Sequence, residues 1–338
     1  MIFGRGGLSA LLSWKLQNSV VRAWRIVQYG PVIESNPPAE ALAWAAEVAG
    51  SVATARTVRR LTGGAHADTH LLRTQLPSRD MVLRRFPPGD NAAAFEARVL
   101  EALKGLNGWA PQLVDVDPGG RRFGEPAILI TRLPGRADIT PACPDIAAAQ
   151  LGRALARIHD VPLSGLTGLT GLTGLRDGMA ATATSSTFDA GPAAPILAAH
   201  GHRLADQPQV LTHYDFWSGN VLWQEGALTG IVDWSGASRA PRGFDVSWCR
   251  LDLVLLHGPG TAEVFLTAYQ EAAGEEVHDM LLWDLFALTN SHRSVETWQT
   301  NYLDLGRTDM TATNLRQRHT DWGAERLVRY RIEQDIPY

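Results

Sequence analysis

His213, Asp215 and Asn220 stand at fixed offsets inside the otherwise apolar segment LTHYDFWSGNVLW, residues 211–223, and Asp233 closes the run LTGIVDW. A buried charge without a partner is costly, so such a segment is either a well-satisfied polar turn or a site. The runs VLW and LTGIVDW flank the turn-like QEGA, which is the pattern of a β-hairpin. A hairpin there brings Asn220, at the start of one strand, close to Asp233, at the end of the other. With Asp215, two carboxylates and one amide oxygen then converge on one small volume. Oxygen ligands in that number suit Mg²⁺, which keeps several waters and shares its shell with substrate phosphates. An H-x-D pair, or an Asn after glycine, is alone an ordinary turn feature. The ordered set between strand-like runs is the specific signal.

The elements that must hold this set can be read upstream. ESNPPAEALAWAAEVAG reads as a Pro-marked loop and a short helix ending at Gly50. VATARTVRRLTGGAHADTHLLRTQL reads as strand, Gly-Gly turn and returning strand, and DMVLRRF as a further strand stopped by Pro87 and Pro88. NAAAFEARVLEALKGL is helical, with Phe95, Val99, Leu100, Leu103 and Leu106 on one apolar face and Asn91 as the candidate cap. Glu96 adjoins that face and calls for a buried partner, for which Arg84 is the natural candidate. EPAILITRLPG is an apolar strand ended by Pro134-Gly135. After it DIAAAQLGRALARIHDV is an amphipathic helix, and most of the chain beyond residue 240 has a helical pattern. The expected fold class is therefore α+β, a small, largely antiparallel-sheet lobe with one main helix followed by a larger helical lobe. The expected division is an N-terminal extension at 1–38, disordered or from a misassigned start, an N-lobe at 39–133 and a C-lobe at 134–338. The tract GLTGLTGLTGL, residues 165–175, reads as low complexity inside a flexible insertion near 160–195.

H-x-D-x-x-x-x-N followed by a further Asp resembles the catalytic core of the protein-kinase-like fold. The forms HYDFWSGNVLW and LTGIVDW resemble the aminoglycoside phosphotransferase and choline kinase-like family, over about residues 40 to 300. That resemblance implies a bilobal kinase-like fold and an ATP- or GTP-dependent transfer of the γ-phosphoryl group to a hydroxyl of a small molecule. It makes Asp215 the group that positions or deprotonates the acceptor hydroxyl, with His213 orienting the loop. Asn220 and Asp233 become ligands of Mg²⁺ on the nucleotide phosphates. Gly63 and Gly64 fall where backbone amides face phosphate. Arg84, in MVLR, occupies the place of the usual lysine, with Glu96 as the helix glutamate that holds it. Arg and Lys differ in geometry, so nucleotide affinity is the property this departure touches. Backbone groups from Thr131 to Leu133 fall at the adenine edge, and Asp245, in RGFDVSW, anchors the catalytic loop. A degenerate nucleotide-binding relative without transferase activity is the alternative reading. A protein kinase is disfavoured, because no D-F-G or A-P-E follows.

Composition narrows the partners. The chain has 338 residues, 45% hydrophobic and 20% charged, with a net charge of −4, so no basic field favours nucleic acid or an anionic membrane. No stretch reaches the roughly 18 apolar residues of a membrane span. Two distant cysteines, Cys143 and Cys249, fit a reducing cytoplasm. The start, MIFGRGGLSALLSWKL, faintly resembles a signal peptide but lacks a convincing cleavage site. Lys15 and Lys104 are the only lysines. Asp252, Glu263, Glu271, Glu275, Glu276, Asp279, Asp284 and Glu296 suggest an acidic pocket for a cationic acceptor, with Trp283 and Trp298 as its wall. His66, His70, His159 and His257 read as ordinary solvated or capping histidines.

Overall fold

A computed structural model describes residues 36–333 except 51, 53, 62–66, 167, 168 and 170–190. Gly63, Gly64, His66 and most of the Gly-Leu-Thr tract therefore lie outside the described residues, as does nearly all of the N-terminal extension.

Helix α1 (Ala39–Val48) leads to a five-stranded antiparallel sheet. Its strands are β1 (Arg56–Leu61), β2 (Asp68–Arg73), β3 (Asp80–Arg85), β4 (Leu113–Asp117) and β5 (Ala127–Thr131), in the order β1-β2-β3-β5-β4. Successive side chains on a strand point to opposite faces, which sorts the apolar runs into two cores. Leu72, Met81, Leu83 and Leu129 meet Ala41, Trp44 and Ala45 of α1 on one face. Leu71, Val82, Ile128 and Ile130 face the main core on the other. Arg84 follows the parity of Val82, so its side chain is directed to the main-core face, where helix α2 (Ala92–Leu103) lies.

Helix α2 buries Ala93, Glu96, Ala97, Leu100 and Leu103, a three-and-four spacing that puts the Glu96 carboxylate on the apolar stripe. Phe95 is only half-buried. Asn91 stands at the cap position without a capping side-chain bond, and Asp90 Oδ1 instead accepts from Ala92 N at 2.7 Å. The carboxylate one position earlier reaches the free amide, so the cap is Asp90.

Beyond β6 (Arg136–Ala137) and helix α3 (Pro144–His159) the chain is mostly helical: α4 (Ala194–His200), α5 (His202–Ala205), α6 (Gly243–His257), α7 (Pro259–Ala273), α8 (Met280–Ser291), α9 (Gln299–Asp304) and α10 (Ala312–Glu333). Helix α6 is buried on almost every side, which is why its apolar residues run all round it. Helices α3 and α7 pack closely at Gly152, where an added Cβ would lie 2.5 Å from the Phe265 carbonyl oxygen and 2.8 Å from the Tyr269 nitrogen.

Two small ladders hold the polar segment. Strand β7 (Gln209–Thr212) pairs antiparallel with β10 (Ser238–Pro241), matching Thr212 with Ser238. Strands β8 (Val221–Gln224) and β9 (Ala227–Ile231) form the expected hairpin, and β6 adds to the outer side of β8. Its two-residue turn, Glu225-Gly226, has φ of 53° and 76°, the paired positive values that match the twist of a tight hairpin.

Candidate active site

The β7–β10 ladder brings the two ends of the polar set together. Residues 213–220 leave β7, and residues 232–237 lead into β10. Val232 N donates to Asn220 O at 2.9 Å, which holds the Asn220 and Asp233 segments side by side. Tyr214 and Asp233 have φ of 76° and 62°, left-handed values unusual for residues with side chains. Such backbone persists only where its surroundings over-determine it. At Tyr214 the buried Asp245 carboxylate of α6 does so, accepting from His213 N at 2.6 Å and Tyr214 N at 2.8 Å. Gly219 is required as well, because a Cβ there would fall 2.2 Å from the Trp217 ring.

His213 is fully buried, and its Nε2 lies 3.0 Å from the Val232 carbonyl oxygen, which can only accept; the ring therefore carries the proton on Nε2. Its ring also packs on Trp234 at 4.6 Å between centroids. Burial lowers its pKa and favours the neutral form. His213 thus ties the Asp215 loop to the strand that ends at Asp233.

Asp215 uses both carboxylate oxygens. Trp248 Nε1 donates to Oδ1 at 3.1 Å and Asn220 Nδ2 to Oδ2 at 3.2 Å. Burial first, and the like charge of Asp233 second, push its pKa up to about 7 against these two donors. Asn220 Nδ2 also donates to the Asp215 carbonyl at 2.9 Å, so the amide carbonyl oxygen is the atom left for a cation.

Arg84 reaches across to the same place. Both terminal nitrogens meet Asp233 Oδ1 at 3.1 Å, and Nη1 meets Glu96 Oε1 at 2.8 Å. Ser235 Oγ donates to the same Asp233 oxygen at 2.9 Å. The side chain of Asp233 is 28% exposed and that of Glu96 1%. Burial opposes the charge on Arg84, but Glu96 and Asp233 outweigh it and hold its pKa above the ordinary value. Asp233 is lowered, because Arg84 and Ser235 overcome its burial. Glu96 is raised to about 7 by burial, with Arg84 pulling it down and Asp233 pushing it up.

The donors fit Mg²⁺. The hydrogen bonds from Arg84 and Ser235 to Asp233 end on Oδ1, so Oδ2 and the Asn220 side-chain carbonyl would supply two hard oxygens. No cluster of three or more His, Cys, Asp and Glu able to hold a metal occurs among the described residues.

The adenine-edge residues are only partly available. Thr131 N already donates to Gln112 O at 2.9 Å, and its Oγ1 accepts from Gln112 N at 2.9 Å. Its amide is therefore not a donor to a base. Leu133 packs over Gly230, where a Cβ would lie 2.6 Å from its methyl carbon.

Several sequence expectations need correction. His159 is buried, not solvated, and joins Tyr269 OH at 2.7 Å to Asp245 Oδ2 at 3.3 Å; His70 is also buried. Trp283 is a core residue whose Nε1 donates to Gln207, whereas Trp298 packs edge-on against Trp248 at 5.3 Å, near Asp215. Most of the acids after residue 252 have partners. Glu263 and Asp284 pair with Arg250, Glu275 with Arg242, Asp279 with Arg203 and Glu296 with Arg316. Asp252 is buried against Ser218 and Tyr302. They do not form an unneutralised acidic wall. Trp248, Ser218 and Tyr302 are the residues near the site that sequence reasoning did not assign, and Asp252 was placed in an acidic acceptor pocket rather than behind the catalytic loop. A visible signal was there, since Asp245, Trp248 and Asp252 follow at helical spacing.

A five-stranded antiparallel sheet over a helical body, with carboxylate, amide and carboxylate between them, is a bilobal α+β fold of the protein-kinase-like class. The chain belongs to the phosphotransferase enzyme family, whose model it matches over residues 57–281. It is 30% identical over 187 residues to a homoserine kinase from Beijerinckia indica subsp. indica, a match spanning 49% of this chain and 56% of that relative, little more than half its length. Among solved structures it is similar to the macrolide 2′-phosphotransferase MphH from Brachybacterium faecium, at 19% identity and a TM-score of 0.57, covering 82% of this chain and 95% of that one. It is also similar to a thermostable mutant of the aminoglycoside phosphotransferase APH(4)-Ia in ternary complex with ADP and hygromycin B, at 15% identity and a TM-score of 0.54, covering 82% and 97%. At these identities the solved structures speak for the fold. No helix among the described residues is long and apolar enough to cross a membrane.

Proposed function

We propose that this protein is a small-molecule O-phosphotransferase that moves the γ-phosphoryl group of ATP, or GTP, to an alcohol. The observation that carries this is the convergence of Asp215, Asn220 and Asp233 with the buried pair of Arg84 on strand β3 and Glu96 on helix α2. The family membership supports it, and the nucleotide-bound relative supports ATP.

In this reading Asp215 accepts the proton of the acceptor hydroxyl as the oxygen attacks phosphorus. A carboxylate poised near neutrality is suited to that task. Asn220 and Asp233 would hold Mg²⁺, which when bound neutralises charge on the phosphate oxygens. Arg84 turns its fork toward the α- and β-phosphates, a bidentate contact available to a guanidinium. Glu96 keeps it aimed. Gly63 and Gly64 would line the phosphates, and Leu133 with the Thr131 carbonyl would line the base. The nucleotide lobe is residues 39–133 and the acceptor lobe 134–338. The acceptor is a small hydroxyl compound, and an aminoglycoside-like one rests on the family likeness, because the acids expected to attract a cation are largely paired. A cytoplasmic location suits this substrate class.

The test is thermal stabilisation by ATP and by GTP, each with and without Mg²⁺. A Mg²⁺-dependent rise in melting temperature is expected. No rise with either nucleotide would overturn this reading, whereas a rise without phosphoryl transfer to any alcohol would favour the degenerate nucleotide-binding relative.

A further inference from the structure

Helix α6 meets the catalytic loop through more than Asp245. Asp245, Trp248 and Asp252 occupy positions i, i+3 and i+7, one face of a helix. Asp245 accepts from residues 213 and 214, Trp248 donates to Asp215, and Asp252 accepts from Ser218. The face thus follows the loop in order from its first residue to the turn that presents Asn220. Behind it the segment Val295–Asp304 repeats the spacing. Trp298 packs edge-on against Trp248 at 5.3 Å, and Tyr302 OH donates to Asp252 Oδ1 at 2.9 Å. The pairs are i and i+4 on both elements. Two rungs result: Asp215–Trp248–Trp298 and Ser218–Asp252–Tyr302.

The lower rung is a complete buried hydrogen-bond chain. Asp252 Oδ2 accepts from both Ser218 N at 3.0 Å and Ser218 Oγ at 2.6 Å, and Oδ1 accepts from the Tyr302 hydroxyl at 2.9 Å. Asp252 is 3% exposed; its hydrogen-bond donors are the neutral groups of Ser218 and Tyr302, and the Arg307 charge acts on it from farther off. A carboxylate buried on neutral donors is an expensive way merely to fill space, since an apolar residue would pack there at less cost. Two of the three donors belong to Ser218, the first residue of the turn Ser218–Asn220.

We propose that Asp252 and Trp248 are positioning residues for the phosphoryl-transfer site, Asp252 fixing the turn that aims the Asn220 oxygen at Mg²⁺ and Trp248 fixing Asp215. Trp298 and Tyr302 buttress them, so the C-terminal helical segment sets the geometry of both the base and the metal ligand. The inference rests on the functional reading above.

The test measures the Mg²⁺ concentration for half-maximal stabilisation by ATP, together with ATP hydrolysis, in which water replaces the acceptor. Ser218→Ala, Asp252→Asn and Tyr302→Phe are expected to raise the Mg²⁺ half-point about tenfold, the size typical of outer-shell partners of a metal ligand. Trp248→Phe is expected to leave that half-point in place and slow hydrolysis about tenfold. Should Asp252→Asn not fold, Ser218→Ala decides, because it deletes one oxygen and keeps the backbone bond. Lower melting temperatures with unchanged Mg²⁺ half-points and hydrolysis rates would overturn the proposal and leave both rungs as packing. A wild-type protein that shows no Mg²⁺-dependent response to ATP would overturn the functional reading itself, and this inference with it.

Discussion

Arg84 and Asp233, 149 residues apart in sequence, are joined by two hydrogen bonds of 3.1 Å onto a single carboxylate oxygen. The guanidinium is thereby held by Glu96 behind and Asp233 in front. Under the proposed function, nucleotide binding would redirect Arg84 from this front pair toward phosphate and leave Asp233 to the cation, while the rear pair stays.

Arg84→Ala should therefore cost both stability and binding. It leaves Glu96 buried without its cation, and losing one partner of a buried pair typically costs about 3–5 kcal/mol. A fall of that size in the unfolding free energy from urea titration is expected. Arg84→Lys keeps the charge but not the fork, so a smaller loss of stability with at least a tenfold weaker nucleotide affinity is expected. Equal nucleotide affinities for Arg84→Lys and wild type would show that the fork is not used.

Asp215 and Asp233 separate catalysis from binding. Asp215→Ala should reduce transfer by about 10²–10⁴, the usual contribution of a general base, with Mg²⁺-ATP affinity within a few-fold of wild type. Asp233→Ala should remove the Mg²⁺ dependence of nucleotide binding. Turnover preserved in the first variant, or an intact Mg²⁺ response in the second, would reassign the residue.

His319 should weaken the fold in mild acid. It is buried against Ser291 Oγ at 2.9 Å, and burial first, then the charges of Arg316 and His292, push its pKa down to about 4. The unfolded chain has the ordinary value near 6.5, so it takes up a proton that the folded chain refuses. Stability is complete above pH 6.5 and is lost as pH falls toward 4, by about 3 kcal/mol at most. The melting temperature of His319→Gln should fall less steeply over that window than that of wild type. Parallel curves would remove His319 as the cause.

Gly152 tests the contact of α3 with α7. Alanine gains up to about 1 kcal/mol of helix propensity. Its Cβ, however, meets the Phe265 and Tyr269 main chain, which cannot yield as a flexible side chain does. Overpacking of this kind costs about 1–3 kcal/mol, so Gly152→Ala should lower the urea midpoint despite the better propensity. A higher midpoint would mean that the helices separate freely.

Local pattern made much of this architecture legible. Strand alternation and the three-and-four face of α2 suffice to direct Arg84 and Glu96 to one another, and QEGA marks a hairpin by its own composition. What escaped lies between distant elements. The acids of the C-lobe are matched by Arg203, Arg242, Arg250, Arg316 and Arg326, most of them outside the window in which those acids were weighed. Trp248 and Asp252 look apolar-helix-like and solvated respectively until the 213–220 loop is laid against them. His159 reads as a helix-end charge, and only the approach of Asp245 and Tyr269 makes it a buried link.

The guanidinium in β3 also decides how the nucleotide site responds to covalent chemistry. An amine at that position would be a nucleophile for acylating nucleotide probes, which capture a lysine lying beside the phosphates. Arginine keeps its proton at any ordinary pH and offers no such lone pair. Lys104, the lysine among the described residues, is exposed at the end of α2. Labelling by an amine-directed ATP analogue should then fall on Lys104, if anywhere in the described chain, and excess ATP should not protect it. Profiling that reads ATP-protected lysines would find none at the β3 position even when the nucleotide site is filled.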